Sequence, residues 1–269
     1  MKLFIVRITL EGRRNEYFVQ TAEVCFIFKI SIRMENRPFP YFWRHPTVIF
    51  KHPFTARVVG PTQAGKTHFV MNLLENAARY IRPAPTKIYW AYGEKNQKQM
   101  FAIQKAAQPL AVHFLEGVPD IEEFDANERN LLIMDDLMTS VSNSTTVANI
   151  FTKHSHHRNM SVILIMQNLF HQGRSMRDIS LNSKYTILFK NPRDKAQIQI
   201  LGRQIFPSQS HFLTDAYEQA TAKPHGYLIL DFDQYTPESQ RVKTGIFPPE
   251  IPLIFVPKSS GKLRLGNQL

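Results

Sequence analysis

The side chains with the clearest capacity for chemistry lie within residues 55–67, which read Thr-Ala-Arg-Val-Val-Gly-Pro-Thr-Gln-Ala-Gly-Lys-Thr. Four residues separate the first glycine from Gly-Lys-Thr, which is the spacing of a phosphate-binding loop. Glycines let the backbone wrap closely around an anion, so that successive amide N–H groups point at phosphate oxygens. The predicted nucleotide-binding residues are Gly60, Pro61, Thr62, Gln63, Ala64, Gly65, Lys66 and Thr67.

Two side chains of this loop carry specific chemistry. Lys66 would place a positive charge on the β- and γ-phosphates of ATP, and the Thr67 hydroxyl would complete the ligand shell of Mg²⁺. The apolar strand candidate Thr55–Val59 precedes the loop. A helix candidate follows it and turns its positive end toward the phosphates. A plain strand-to-helix turn would need Gly65 but would explain neither Gly60 nor Lys66.

Two carboxylates, Asp135 and Asp136, end an apolar strand candidate at residues 131–134. Beside a phosphate loop, the first acid at such a strand end supports Mg²⁺, and the second can act as a general base toward water. We therefore expect Asp135 to bind Mg²⁺ and Asp136 to be the base. Glu94, just past another strand candidate, is the alternative base because its side chain reaches further. A helix cap or a solvated turn is the other interpretation of the aspartate pair.

A polar residue also ends the most apolar strand candidate, Met160–Met166. There Gln167 is expected to sense the γ-phosphate or position water, the alternative being an amide that satisfies a loop backbone. Nearby arginines suggest a further group that stabilises transition-state charge from a neighbouring subunit. The candidates are Arg158, Arg174 and Arg177, although any one exposed arginine is more often a solvated charge or a nucleic-acid contact.

The elements around these residues alternate between strands and helices. Strands are predicted at 55–59, 87–92, 111–115, 131–134, 160–166 and 185–189, and helices at 96–108, 144–157, 193–203 and 208–222. This alternation predicts an α/β fold with a mostly parallel central sheet and helices on both faces. Residues 227–231 and 240–245 are expected to form a C-terminal β-hairpin.

The predicted organisation is one P-loop ATPase domain at residues 34–257 and a basic C-terminal tail at 258–269. Residues 1–33 are an uncertain N-terminal extension, either poorly integrated or adding one or two strands to a sheet edge. The aromatic and histidine side chains of residues 39–52 either stack on bases or cover the sheet near the phosphate loop, and we favour the second.

Composition restricts the partners. The formal net charge of +11 predicts a polyanionic partner, most simply nucleic acid, although a generally basic surface gives the same number. A single cysteine, Cys25, excludes an internal disulfide and a cysteine-based zinc site. The apolar stretch at residues 24–32 is interrupted by Lys29 and is too short to span a bilayer. No membrane association is expected.

The ordered set of motifs resembles viral genome-packaging ATPases of the FtsK–HerA superfamily. It is most similar to the poxvirus-type enzymes found also in Polinton/Maverick and adintovirus-like elements. The resemblance covers roughly residues 40–257 and includes 185–194, 204–207, 226–231 and 241–248 as well as the phosphate loop.

This resemblance implies a RecA-like core and a homo-oligomeric ring that hydrolyses ATP to drive double-stranded DNA into a capsid. By position it makes Lys66, Asp136, Gln167 and Arg158 the catalytic residues, with Arg158 acting on a neighbouring subunit. Many relatives carry Glu where this chain has Asp136. A capsid protein is a further expected partner. The expected location is intracellular, in the host nucleus or cytoplasm, or virion-associated, and not secretory.

Other functional classes stay open at this point. A small-molecule phosphotransferase would be monomeric, independent of DNA and equipped with an arginine-rich lid, which the sequence lacks. A helicase-type ATPase outside packaging and a non-catalytic DNA-binding relic are further alternatives. A GTPase is disfavoured because no Asn-Lys-x-Asp base-reading segment is present.

Overall fold

The computed structural model describes residues 3–10, 13–20, 41–44, 50–137, 141, 144–155, 158–170 and 173–257. The chain divides into two compact units, residues 1–39 and 40–269. In the first unit, β1 (Leu3–Leu10) and β2 (Arg13–Gln20) form an antiparallel hairpin in which Leu3 pairs with Gln20. The predicted domain boundary between residues 33 and 34, and the C-terminal tail after 257, lie outside the described residues.

The second unit is built on a ten-stranded sheet in the order β3-β14-β13-β12-β11-β5-β10-β9-β7-β8. The strands of this unit are β3 (Tyr41–Arg44), β4 (Phe50–Lys51), β5 (Thr55–Val59), β6 (Ile81–Arg82), β7 (Lys87–Tyr92), β8 (Val112–Glu116), β9 (Asn130–Asp135), β10 (Met160–Met166), β11 (Tyr185–Phe189), β12 (Tyr227–Asp231), β13 (Val242–Thr244) and β14 (Leu253–Val256). β4 and β6 form a separate parallel pair.

Six neighbouring strands of the large sheet, β11, β5, β10, β9, β7 and β8, run parallel. The other four, β12, β13, β14 and β3, continue the sheet in antiparallel fashion. Every residue of β5, β10 and β11 is buried, as expected for strands covered on both faces. We call the edge at which the six parallel strands finish the carboxyl edge, and the opposite one the amino edge.

Helices cover both faces of the sheet. They are α1 (Lys66–Glu75), α2 (Ala77–Tyr80), α3 (Gln97–Ala106), α4 (Thr145–Asn149), α5 (Arg174–Leu181), α6 (Ala196–Ile205) and α7 (Ser210–Ala220), and α4 continues as a π-helix over Ile150–His154. Because side chains alternate along each strand, β5 sends Ala56 and Val58 into the core beneath α1–α3. Val59 joins a second core beneath α4–α7.

These observations confirm the predicted fold class, including the C-terminal hairpin, in which Ile229 pairs with Lys243. The core strands β5, β7, β10 and β11 have the predicted bounds. The Ser144 side chain accepts a hydrogen bond from the Val147 N–H, 3.3 Å away, and so caps α4 as predicted. Among the described residues, no helix is both long and apolar enough to cross a membrane.

One expectation about residues 39–52 was wrong. Tyr41–Arg44 do not cover the sheet near the phosphate loop, because they form its outermost strand, and four other strands lie between them and β5. The strand Leu253–Val256, which pairs with them, was missed because it is short and flanked by prolines.

Candidate functional site

The predicted phosphate loop begins at the carboxyl edge, where β5 ends. The Gly60 N–H donates to the carbonyl of Met166 at 3.1 Å, which ties the loop to the end of β10. A side chain at Gly60 could not be accommodated, since its Cβ would lie 2.7 Å from the Cβ of Phe189 in β11. The first glycine therefore allows the loop to leave the sheet between two neighbouring strands.

The loop then turns directly into α1. Gly65 caps this helix with φ of +103°, a left-handed conformation that side chains rarely adopt. The half-buried Lys66 donates from Nζ to the carbonyl of Pro61 at 2.9 Å, so its ammonium group folds back over the loop. Burial lowers the pKa of Lys66, while the charges of Asp135 and Asp136 oppose this shift. These interactions place the lysine, the loop and both aspartates in one site.

Asp135 is the last residue of β9 and is partly buried beside Lys66. Burial, with repulsion from Asp136, raises the pKa of its carboxyl to about 6, against the opposing effects of Lys66 and of a hydrogen bond from Gln99. Gln99, in the first turns of α3, donates from Nε2 to Asp135 Oδ2 at 3.1 Å. The carboxylate is therefore oriented from a neighbouring helix, a contact that the sequence analysis did not anticipate.

The two candidate bases are Asp136 and Glu94. Asp136 is exposed and has a left-handed backbone with φ of +55°. Both side chains line an open cleft of about 510 Å³ between the end of β7, the start of α3 and the aspartate pair. The structure thus brings both candidates to the same cleft.

Gln167 follows β10 at the carboxyl edge and is exposed. It lines a small cavity of about 20 Å³ together with Gly60, so the predicted sensor adjoins the phosphate loop. The next turn is held by Gln197 of α6, whose Oε1 accepts from the Leu169 N–H at 3.0 Å and whose Nε2 contacts Asp194. Gln197 has no local sequence signal, because its contact spans 28 residues.

The predicted arginines are not gathered in this site. Arg158 precedes β10 and therefore lies at the amino edge, separated from Gln167 by the length of a seven-residue strand, roughly 20 Å. Arg174 is the first residue of α5, and Arg177 is exposed on the same helix. Arg158 therefore lies far from the phosphate loop of the same chain.

The donor set fits a hard divalent cation. A threonine hydroxyl and a carboxylate supply the oxygen ligands that Mg²⁺ prefers, and phosphate oxygens and water normally complete its octahedron. The oxygens come from Thr67, in the first turn of α1, and Asp135. Within the described ranges, no group of three or more His, Cys, Asp or Glu side chains is arranged to hold a metal ion.

Comparison with solved structures finds the genome packaging NTPase B204 from Sulfolobus turreted icosahedral virus 2 in complex with sulfate, at 12% identity, 71% coverage of this chain, 95% of that chain and a TM-score of 0.46. Its complex with ATP-gammaS matches at 12% identity, 71% and 96% coverage and a TM-score of 0.44. The DNA-packaging ATPase B204 from Sulfolobus turreted icosahedral virus matches at 14% identity, 72% and 97% coverage and a TM-score of 0.46. No curated protein sequence matches.

The sequence itself matches the family model of the poxvirus A32 protein over residues 44–187, which is more than half of the chain. The matched range contains the phosphate loop, both aspartates, Gln167 and Arg158. The match confirms the resemblance to poxvirus-type packaging ATPases that the motifs predicted. The chain belongs to the poxvirus A32 protein family.

Proposed function

We propose that this chain is a Mg²⁺-dependent ATPase that moves double-stranded DNA into a viral capsid. The observation that supports it most directly is the order β9-β10-β5 within the parallel sheet. This order brings Asp135, Gln167 and the phosphate loop to one edge, each from the end of its own strand. Membership of the A32 family and the net charge of +11 support the packaging role and the DNA partner.

Each residue of the site has a distinct task in this proposal. The amides of residues 60–67 and the Lys66 ammonium bind the phosphates, while Thr67 and Asp135 hold Mg²⁺. When bound, the ion neutralises charge that develops on the transferred phosphoryl group. Gln167 orients the attacking water at the γ-phosphate. Asp136 or Glu94 accepts the proton of that water.

Assembly into a ring is part of the proposal because of Arg158. Because Arg158 lies at the amino edge, far from the phosphate loop of its own chain, we propose that it acts on the nucleotide of another subunit. A capsid protein is the proposed docking partner of the ring. The proposed catalytic unit comprises residues 34–257, with 1–33 and 258–269 as extensions.

The first test is ATP turnover by the full chain with and without double-stranded DNA. We expect DNA to increase turnover, and Lys66→Ala to abolish it because the phosphates lose their charge partner. Lys105→Ala, an exposed lysine in the last turn of α3, is the matched control and should behave like the parent protein. If DNA does not change the rate of ATP turnover by an assembled oligomer, that result would contradict translocation and favour a phosphotransferase.

A second test separates the two candidate bases. Asp136→Asn and Glu94→Gln each remove one carboxylate charge without changing side-chain length. Substitution of the true base should lower the rate of single-turnover hydrolysis at least 100-fold, since general-base catalysis contributes about 10²–10⁴-fold. The same variant should keep the nucleotide affinity of the parent protein. If both variants hydrolyse ATP at the rate of the parent protein, neither residue is the base.

A further inference from the structure

The turn between α7 and β12 rests on the phosphate loop. His225 lies in this turn, and its Nδ1 is 3.2 Å from the carbonyl oxygen of Ala64. The imidazole also occupies the space into which a side chain at Gly65 would project, since a Cβ there would lie 3.2 Å from Nδ1 and 3.3 Å from the His225 Cβ. A carbonyl oxygen only accepts hydrogen bonds, so Nδ1 carries the proton.

The turn itself is firmly fixed. The Thr221 hydroxyl donates to the Tyr217 carbonyl at 2.7 Å, and the Gly226 N–H donates to the Lys223 carbonyl at 3.1 Å. His225 has φ of +59°, a left-handed conformation that is uncommon for histidine. The backbone is thus held in a shape that presents the imidazole to the loop.

Peptide geometry gives this contact a consequence. In a planar trans peptide the C=O and the following N–H point in opposite directions. Because the Ala64 carbonyl faces His225 outside the loop, the Gly65 N–H faces the loop interior. Glycine tolerates either sign of φ, so the Ala64–Gly65 peptide could otherwise flip and turn its carbonyl toward the phosphates.

We propose that His225 is a positioning residue that holds the Ala64–Gly65 peptide with its N–H directed at the nucleotide phosphates. The inference rests on the proposed nucleotide-binding function and adds to it a residue from a distant part of the sequence. His225 is not a catalytic residue in this account, because it acts through the loop backbone.

Two substitutions separate the hydrogen bond from the backbone conformation. His225→Asn keeps a donor at nearly the same reach, since the asparagine Nδ2 stands close to the position of the histidine Nδ1. His225→Gly removes the donor. Both residues accept a positive φ readily, so neither strains the turn. Equal thermal unfolding temperatures of the nucleotide-free proteins would show that the fold is intact in both.

The experiment measures the affinity for ADP and for adenosine of the parent protein, both variants and Lys66→Ala. We expect His225→Gly to bind ADP about tenfold more weakly. This is the loss typical of one hydrogen bond to a charged acceptor, here the bond from the Gly65 N–H to a phosphate. His225→Asn should stay within about twofold of the parent protein. Adenosine, which has no phosphate, should not distinguish the variants.

Three results would contradict the proposed role of His225 or the function on which it rests. Parental ADP affinity in His225→Gly, or equal weakening in both variants, would overturn the role of the Nδ1 donor. A parallel loss of adenosine binding would show that His225 contacts the nucleoside instead. Failure of the parent protein to bind ADP, with no effect of Lys66→Ala, would overturn the proposed function together with this inference.

Discussion

Asp135 occupies an environment that opposes its own charge. It is largely withdrawn from water and stands beside a second carboxylate, and both conditions raise the pKa of its carboxyl to about 6. Lys66 and Gln99 compensate only in part. Such a site gains stability when a cation arrives, because the ion neutralises the repulsion that the folded chain otherwise bears. The residue is thus adapted to a charged ligand more than to the stability of the empty protein.

The first prediction follows from the sign of this shift. The raised pKa means that the folded state holds the Asp135 proton more tightly than the unfolded state between about pH 4 and 6. Stability therefore falls as the pH rises through this window. Asp135→Asn removes the penalty and can keep the hydrogen bond from Gln99. We expect it to raise the free energy of unfolding by about 2–3 kcal/mol at pH 7.5 and by about 1 kcal/mol at pH 4.5.

Urea unfolding of the nucleotide-free protein at the two pH values measures this difference. Asp215→Asn, which removes an exposed carboxylate of α7, is the control and should change stability by less than about 0.5 kcal/mol. A gain that does not depend on pH would show that Asp135 is not the group responsible.

The residue scale also shows what spacing alone predicts. The phosphate loop and the aspartate pair were recognisable because their members are adjacent in sequence and their chemistry depends on that adjacency. Gln99 and His225 were not, because their contacts with the site cross 36 and 161 residues of sequence. Contacts of this length depend on how the strands are ordered, which no local pattern reports.

At the scale of elements, β5 is unusual because it contains a buried arginine. Arg57 stands in the middle of this strand with 2% of its surface exposed. Its Nη2 donates to the Thr186 hydroxyl at 3.2 Å. Nε and Nη1 have no hydrogen-bond partner among the described residues. Burial lowers the pKa of Arg57 to about 10, so it stays charged at neutral pH. The strand that feeds the phosphate loop thus holds a cation within its core.

We predict that Arg57→Met stabilises the protein. Methionine has similar length and removes a buried charge that lacks a carboxylate partner, and the cost of withdrawing one such ion from water is on the order of several kcal/mol. Thermal unfolding of the isolated protein is the measurement. Arg57→Lys keeps the charge and is expected to give no gain. A less stable Met variant would mean that Arg57 is paired by a group outside the described residues.

The antiparallel strands contain the opposite situation, a buried ion pair that is well matched. Lys243 Nζ of β13 lies 2.7 Å from Asp231 Oδ2 of β12, and both side chains are at least nine-tenths buried. Lys243→Met would leave the carboxylate buried without its cation and should cost about 3–5 kcal/mol. The double variant Asp231→Asn with Lys243→Met should recover most of that loss in urea unfolding, and purely additive losses would contradict the pairing.

Elements differ in how well the sequence indicated them. The parallel strands β5, β7, β10 and β11 were predicted with their observed bounds. The clearest signal among them is the apolar run of β10, which is typical of a strand covered on both faces. β14 and β3 were not predicted, because each has only four residues and depends on pairing, β3 with β14 and β14 also with β13. A strand whose conformation depends on pairing has little signal in its own sequence.

At the scale of the whole molecule, charge is the property that bears on the proposed partner. The chain has a formal net charge of +11, although its candidate site contains the carboxylates of Glu94, Asp135 and Asp136. Such an excess favours association with a polyanion over the whole surface and requires no single recognition residue. The expected consequence is DNA binding that is strong at low salt and largely indifferent to sequence.

The corresponding prediction concerns salt. Binding of the full chain to duplex DNA of random sequence should weaken linearly on a plot of log affinity against log salt concentration, with a slope steeper than about −3, because phosphate contacts release counterions. Fluorescence anisotropy between 50 and 300 mM salt measures the slope. Affinity that does not change with salt, or no binding at 50 mM, would contradict a role for the overall charge.

The pairing of β3 with β14 also has a consequence for the order of events at the ribosome. Arg44 meets Leu253, more than 200 residues later in the chain. At a synthesis rate of about 5–20 residues per second, the outer strand therefore waits roughly 10–40 s for its partner to be made. During that interval its backbone donors and acceptors are open to chaperones or to another nascent chain. This sheet thus cannot be completed before Val256 has been translated.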